Sequence, residues 1–298
     1  MKLKRFLTIA ILSLMSFQGY ATHLLGGEIV WKCKPNGKYQ FTLVLYRECA
    51  GISLPTTAQS LATNAGVSIS CAFISTTDVV PSCYTGTTTC AGATSGTGKM
   101  QKYVYRSGDI TLTGTPPASG WYFTWNSCCR PGTISNVVSP GGAGYLLRAV
   151  MYPYTPPGST TALSAGTAAN PTCFDNSPNF LEDPQVTSCT NVDVVYNNLG
   201  YDPDLDSLYY NWSYPWDATS YSANPSSNSV NFASGYSWNS PLPSGSTSTP
   251  ASIDGATGEI TFNSGVAGSW ANCVVIEEWR CGQKVGEIYR DIPIVTLA

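Results

Sequence analysis

The chain contains one histidine, His23, and few charges: Asp, Glu, Lys and Arg make up 11% of its 298 residues. A hydrolase needs a base beside its nucleophile, and histidine is the usual one. His23 stands beside an expected processing site, where a residue at a chain end is the plainer reading. There is no Cys-x-x-Cys, which together with the single histidine argues against zinc. No glycine-rich loop comes with the lysine and helix that phosphate binding requires. Glu277 and Glu278 are adjacent, so on a strand they point to opposite faces and are not the facing carboxylates of a glycosidase. No segment keeps apolar residues at helical spacing for three turns. After residue 21 none is long and apolar enough to cross a bilayer, so no transmembrane segment is expected in the mature chain.

Export is the first thing the sequence does indicate. Lys2, Lys4 and Arg5 precede a short apolar run, Phe6 to Phe17, and Gly19-Tyr20-Ala21 puts small residues where a signal peptidase reads. Residues 1–21 are therefore expected to be a cleaved signal peptide. All eleven cysteines, Cys33, Cys49, Cys71, Cys83, Cys90, Cys128, Cys129, Cys173, Cys189, Cys273 and Cys281, lie beyond it. In an exported chain they read as a disulfide set with one thiol left over. Charge is split: Thr22–Arg148 carries nine Lys/Arg against four Asp/Glu, and Ala149–Ala298 carries three against fourteen. The acidic second half would repel a phosphate backbone, so no nucleic-acid partner is expected. It would attract divalent cations or a basic partner, a second copy of the chain included.

Strand signals fill the rest. Pro35-Asn36-Gly37 between Ile29–Lys34 and Lys38–Arg47 predicts a hairpin, with Tyr39, Phe41, Leu43 and Leu45 on one face. Further strands are predicted at Gly66–Phe73, Lys102–Tyr105, Asp109–Leu112, Gly120–Trp125, Gly144–Met151, Val192–Tyr196, Ser207–Tyr214, Ser229–Phe232, Glu259–Phe262, Trp270–Trp279 and Glu287–Val295. The class is all-β. Short strands at this spacing predict two β-sandwich domains in tandem, 22–169 and 170–298, divided in a proline-rich stretch from Tyr152 to Pro184.

Asp202-Pro203-Asp204-Leu205-Asp206 is the sharpest chemical signal. Three carboxylates at alternate positions of a tight loop suit a hard cation, and calcium accepts six to eight oxygens. Asp183 is a candidate fourth ligand. The competing reading is an acidic turn whose Asp side chains cap backbone amides. Aromatics are the second signal. Trp121, Phe123 and Trp125, and likewise Leu208, Tyr210, Trp212 and Tyr214, read as core faces of strands. Trp216, Tyr236 and Trp238 lie in or near polar loops and are the candidates for contact with a ligand, glycans among them. Among the cysteines, the adjacent Cys128 and Cys129 are expected to reach different partners. Cys83 and Cys90 are placed to staple one loop, and Cys189 to bridge to Cys273.

Several segments occur in a telling order: Thr22-His23-Leu24-Leu25-Gly26-Gly27-Glu28-Ile29, Leu45-Tyr46-Arg47-Glu48-Cys49, Asn126-Ser127-Cys128-Cys129-Arg130, Asn176-Ser177-Pro178-Asn179-Phe180, the acidic loop with Ser207-Leu208-Tyr209-Tyr210, Glu277-Glu278-Trp279-Arg280-Cys281-Gly282 and Tyr289-Arg290-Asp291. This order resembles the N-terminal region of large Bacteroidota surface proteins that usually end in a gliding-motility-associated domain read by type IX secretion. The second half resembles the putative-Ig and cadherin-like modules of bacterial adhesins. The resemblance implies Ig-like or cadherin-like sandwiches at the cell surface, with calcium in the acidic loop. Leu205 departs from it, standing where a glycine is common. The function expected is a non-enzymatic extracellular module, structural or adhesive and stiffened by calcium, whose partners are cell-surface glycans, other surface proteins or itself. The alternatives are a carbohydrate-binding module and a self-assembling surface subunit.

Overall fold

The computed structural model describes residues 24–79, 89–90, 99–166, 173–184, 187–244 and 248–298. The expected signal peptide, His23, Cys83 and the expected cut between residues 169 and 170 lie outside the described residues. Apart from two single 3-10 turns, the regular structure described is all strand. Seven strands come first: β1 (Leu24–Cys33), β2 (Tyr39–Glu48), β3 (Gln59–Thr63), β4 (Ile69–Val79), β5 (Met100–Ser107), β6 (Trp121–Cys128) and β7 (Gly144–Met151). Eleven follow: β8 (Asn179–Phe180), β9 (Thr187–Cys189), β10 (Val194–Asn197), β11 (Gly200–Tyr201), β12 (Ser207–Ser213), β13 (Thr249–Ile253), β14 (Glu259–Asn263), β15 (Gly268–Trp270), β16 (Cys273–Arg280), β17 (Gln283–Asp291) and β18 (Ile294–Leu297).

The β1–β2 hairpin forms as the sequence predicts. Gly37 takes φ +76° and its N–H donates to the Lys34 carbonyl, so Pro35-Asn36 make the turn and Gly37 supplies the left-handed residue that closes it. Two predicted strands shrink to single bridges, at Ile110 and at Ser229 and Phe232. Two others are interrupted. Pro293 has no N–H for a ladder and separates β17 from β18. Ala271 and Asn272 separate β15 from β16, and there the buried Asn136 side chain takes the place of a strand neighbour. It accepts from the Ala271 N–H and donates to the Ala271 carbonyl, each at 2.8 Å.

One ten-stranded sheet runs β1-β2-β5-β4-β3-β6-β7-β17-β16-β12, and it closes on itself through β17. One edge of β17 pairs with β16. The other edge pairs first with β7 (Gly286 with Met151, Ile288 with Ala149) and then with β1 (Asp291 with Gly27). Strands from both sides of the expected cut therefore share one sheet. The seam demands glycine: a Cβ on Gly27 would strike the Val44 carbonyl oxygen, and one on Gly26 (φ +126°) the Asp291 carbonyl oxygen.

Alternation along the strands fills the ring. Tyr39, Phe41, Leu43 and Leu45 are at most 1% exposed and pack with Ile29, Trp31, Phe123 and Leu147. Trp121 and Phe123 are core as predicted, with Trp125 packed against them. A second core, of Trp212, Leu242, Ile260, Phe262, Trp270, Val274 and Ile294, is drawn wholly from residues after the proline-rich stretch. It lies where β12 and β16 meet the small sheets β10-β14-β13 and β15-β18-β9. A single face of β12 and β16 serves both cores, with Tyr210 and Ile276 in the first and Trp212 and Val274 in the second.

Candidate functional site

The acidic loop between β11 and β12 folds around Asp202. Its Oδ1 accepts from the backbone N–H groups of Asp204 and Asp206, both at 2.9 Å, and the Leu205 N–H donates to its carbonyl. Asp202 is thus a turn-capping residue rather than one of the converging carboxylates. Leu205, at φ +63°, holds the left-handed position that glycine would fill, and is 83% exposed.

Asp204 and Asp206 meet two acids from elsewhere. Asp175 comes from the segment that leads to β8, and Glu278 from β16. One oxygen of each of the four lies within 4.8 Å of the others. The Asp175 segment is fixed along β1. Cys173 is bonded to Cys33, Asp175 Oδ2 accepts from Trp31 Nε1 (3.1 Å), and the Ser177 hydroxyl accepts from the Trp31 N–H (2.9 Å). Asn176 ties this segment to the loop, donating from N and Nδ2 to the two Asp204 oxygens, each at 2.8 Å. Glu278 folds over Gly286, its partner across the sheet, where a Cβ would strike the carboxylate.

Arg280 stands among these acids. Its Nε donates to both oxygens of Asp206 at 2.9 Å. Its Nη2 lies 3.0 Å from Asp175, 3.1 Å from Asp204 and 3.6 Å from Glu278, and its Nη1 donates to the Phe174 carbonyl. A guanidinium therefore supplies part of the positive charge that an acidic triplet calls for. One guanidinium thus faces four carboxyl groups, two of which, Asp175 and Glu278, are disposed by burial to keep a proton. Glu278 is fully buried and no donor reaches either of its oxygens, so it meets Asp175 and Asp206 as a protonated carboxyl; Asp202 Oδ2 is likewise buried and without a donor. Burial pushes the Asp175 carboxyl up to about 8 against the pull of Arg280, and lifts Asp202 to about 6. Burial and then the charge of Asp175 hold Glu278 well above the ordinary carboxylate range.

The other residues singled out in the sequence lie elsewhere. Asp183 is not in the cluster: it pairs with Lys102 at 2.6 Å and accepts from the Tyr46 hydroxyl, because its segment has already turned toward β2 and β5. Trp216 is 1% exposed, covered by Arg148 at 3.8 Å from its ring and by Tyr221, so it offers no platform. Tyr236 stacks on Trp270 and Trp238 on Tyr214, both at the margin of the second core. Three disulfides are described: Cys33–Cys173, Cys49–Cys90 and Cys128–Cys129. Cys90 thus staples back to the end of β2. Cys128 and Cys129 bond each other, contrary to expectation, since the unbridged cysteines described lie in the cores, in β9 or in the β16–β17 turn. Cys189 and Cys273 stay apart. Cys273 alternates with Val274, so it faces away from the core that β9 and β18 cover.

Two buried ion pairs escaped the sequence reading. Arg130 makes a two-pronged bond to Asp291 (2.9 and 2.6 Å) and lies 3.9 Å over the Tyr145 ring. Arg290 does the same with Glu28 (2.7 and 2.9 Å). Both join residues more than 150 positions apart, and the signal lay in motif segments that no local pattern pairs. The basic first half and acidic second half thus meet inside the chain, through Arg130–Asp291 and Lys102–Asp183. No helix among the described residues is long and apolar enough to cross a membrane. No protein-family model, curated protein or solved structure matches the chain.

Proposed function

We propose that this protein is a non-enzymatic extracellular surface module, structural or adhesive, stiffened by a calcium ion at the acidic cluster. The observation that carries the cation is the convergence of four carboxyl groups, Asp175, Asp204, Asp206 and the fully buried Glu278, around one guanidinium. The donor set fits a hard divalent ion. It is all oxygen, it gathers three chain segments, and it carries more negative charge than Arg280 balances. Asp175, Asp204, Asp206 and Glu278 would hold the ion, and Asp202 would keep the loop in shape. Calcium supplies two positive charges there. The cluster joins β1, the Asp175 segment, the acidic loop and β16, so an ion at that point ties these segments together at the end of the first core that lies away from the second.

The extracellular part of the reading is supported by three disulfides in a chain with a core large enough to fold without them. The resemblance to Bacteroidota surface proteins agrees with it, and the second core supports an Ig-like sandwich grouping of the later strands. The structural part is supported by the internal use of charge, since the buried arginines bind segments of the chain to one another.

The test is a thermal melt in calcium and in chelator. A ligand that binds only the folded state at a hundred times its Kd adds about 2.7 kcal/mol. Calcium is expected to raise the midpoint of the wild type and to leave Asp204→Asn/Glu278→Gln unmoved. Equal midpoints in calcium and chelator for the wild type would remove the ion from the proposal.

A further inference from the structure

Glu277 and Trp279 alternate with Glu278 and Arg280 along β16, so they face away from the acidic cluster. On that outer face, Tyr209 of β12 is paired with Glu277 and Ser207 with Trp279. Between them lies an open groove of about 480 Å³, lined by Ser207, Leu208, Tyr209, Glu277 and Trp279. Tyr209 is 48% exposed although it lies mid-strand in a sheet whose other face is core.

The groove is held in shape before anything enters it. The Tyr209 ring rests on Gly255, where a Cβ would lie 2.5 Å from a ring carbon. Trp279 Nε1 donates to Glu277 Oε2 (3.2 Å), and Lys284 Nζ donates to Glu277 Oε1 (3.2 Å). Lys284 is anchored in turn by Glu287, whose Oε2 accepts from the hydroxyls of Tyr289 (2.7 Å) and Tyr152 (3.0 Å). The ammonium also lies 6.0 Å from the Trp279 ring and 5.3 Å from that of Tyr152. Pre-formed side chains spare a ligand the cost of ordering them.

The chemistry of the groove selects its occupant. Two flat rings offer surface for stacking, without the deep apolar pocket that an aliphatic side chain needs. Glu277 and Lys284 balance each other and Glu287 is satisfied beneath them, so no unmatched positive charge waits for an anion. Ser207, Glu277 and Lys284 still present donors and acceptors at the edges of the rings. We infer that this groove binds a neutral saccharide, one sugar ring stacking on Tyr209 and Trp279 with its hydroxyls meeting Glu277 and Lys284. The site is distinct from the loop aromatics Trp216, Tyr236 and Trp238, and it does not require the cation.

The inference is tested by following tryptophan fluorescence of the whole chain, with calcium present, during titration with neutral oligosaccharides (cellohexaose, laminarihexaose and chitohexaose) and with an oligogalacturonate. At least one neutral sugar is expected to change the emission, and the uronate to leave it unchanged. Tyr209→Ala, an exposed change that leaves Trp279 as reporter, is expected to weaken that sugar's binding by about tenfold or more. Glu277→Gln is expected to weaken it as well, with thermal midpoints showing both variants folded. No response to any neutral sugar at roughly millimolar concentration, binding that survives both substitutions, or a preference for the uronate would each overturn the inference. Because the chelator melt reads a different face of β16, either result can fail without the other.

Discussion

Leu205 shows how much a single backbone position can reveal. Its φ of +63° sets the Cβ against the following carbonyl, at a cost of about 1–2 kcal/mol for a residue other than glycine. With 83% of its surface exposed, its side chain recovers little of that by burial. Glycine would relieve the strain but bring an added entropy cost of about 0.5–1 kcal/mol. Leu205→Gly is therefore expected to stabilise the protein by about 0.5 kcal/mol, and Leu205→Ala, which keeps the Cβ, not to. Urea unfolding of the two variants checks this, and a lower midpoint for the glycine variant would refute it. The departure at Leu205 was legible in the sequence, because a turn is decided by neighbours, whereas Asp202, expected to be a cation ligand, takes the competing role of capping its own turn. The counter-charge was not: Arg280 lies 74 positions beyond Asp206, and only the sheet register brings it back.

At the scale of elements, alternation made most strands legible, from the β1–β2 hairpin to β7, whose bounds coincide with those predicted. Alternation does not say which strand lies beside which, so the passage of β17 between β7 and β1 had no local signature. The acidic cluster has the same character, since three separate segments build it. Its response to pH follows from burial. In the metal-free protein the Asp175 carboxyl, raised to about 8, keeps a proton that the unfolded chain releases near pH 4, and Asp202, raised to about 6, has the same sign. Their contribution is complete below about pH 4 and is lost as pH climbs toward 8. In chelator, the thermal midpoint of the wild type is expected to fall more between pH 5 and pH 8 than that of Asp175→Asn. Parallel pH profiles would show that this carboxyl does not titrate as its surroundings require.

The whole molecule depends on β17, which is one wall of the closed ring and, through β16, part of the framework of the second core. The bond from Arg130 to Asp291 lies at its far end, with both side chains at most 3% exposed. Removing one member of such a pair leaves a buried charge unmatched, at a cost of about 3–5 kcal/mol. Arg130→Met is expected to lose about that much, and Arg130→Met/Asp291→Leu to recover a large part of it. A double variant no more stable than the single one in urea would contradict the account. The interlocking of the halves also bears on the order of folding. A polypeptide emerging N-terminus first presents β1 to β7 as an incomplete wall, with the edges of β1 and β7 that β17 will cover still unpaired, until residues 283–291 arrive to fill the gap. Whatever handles the nascent chain must shield those two edges for most of its synthesis, and any truncation before β17 leaves two adhesive borders where the finished protein has none.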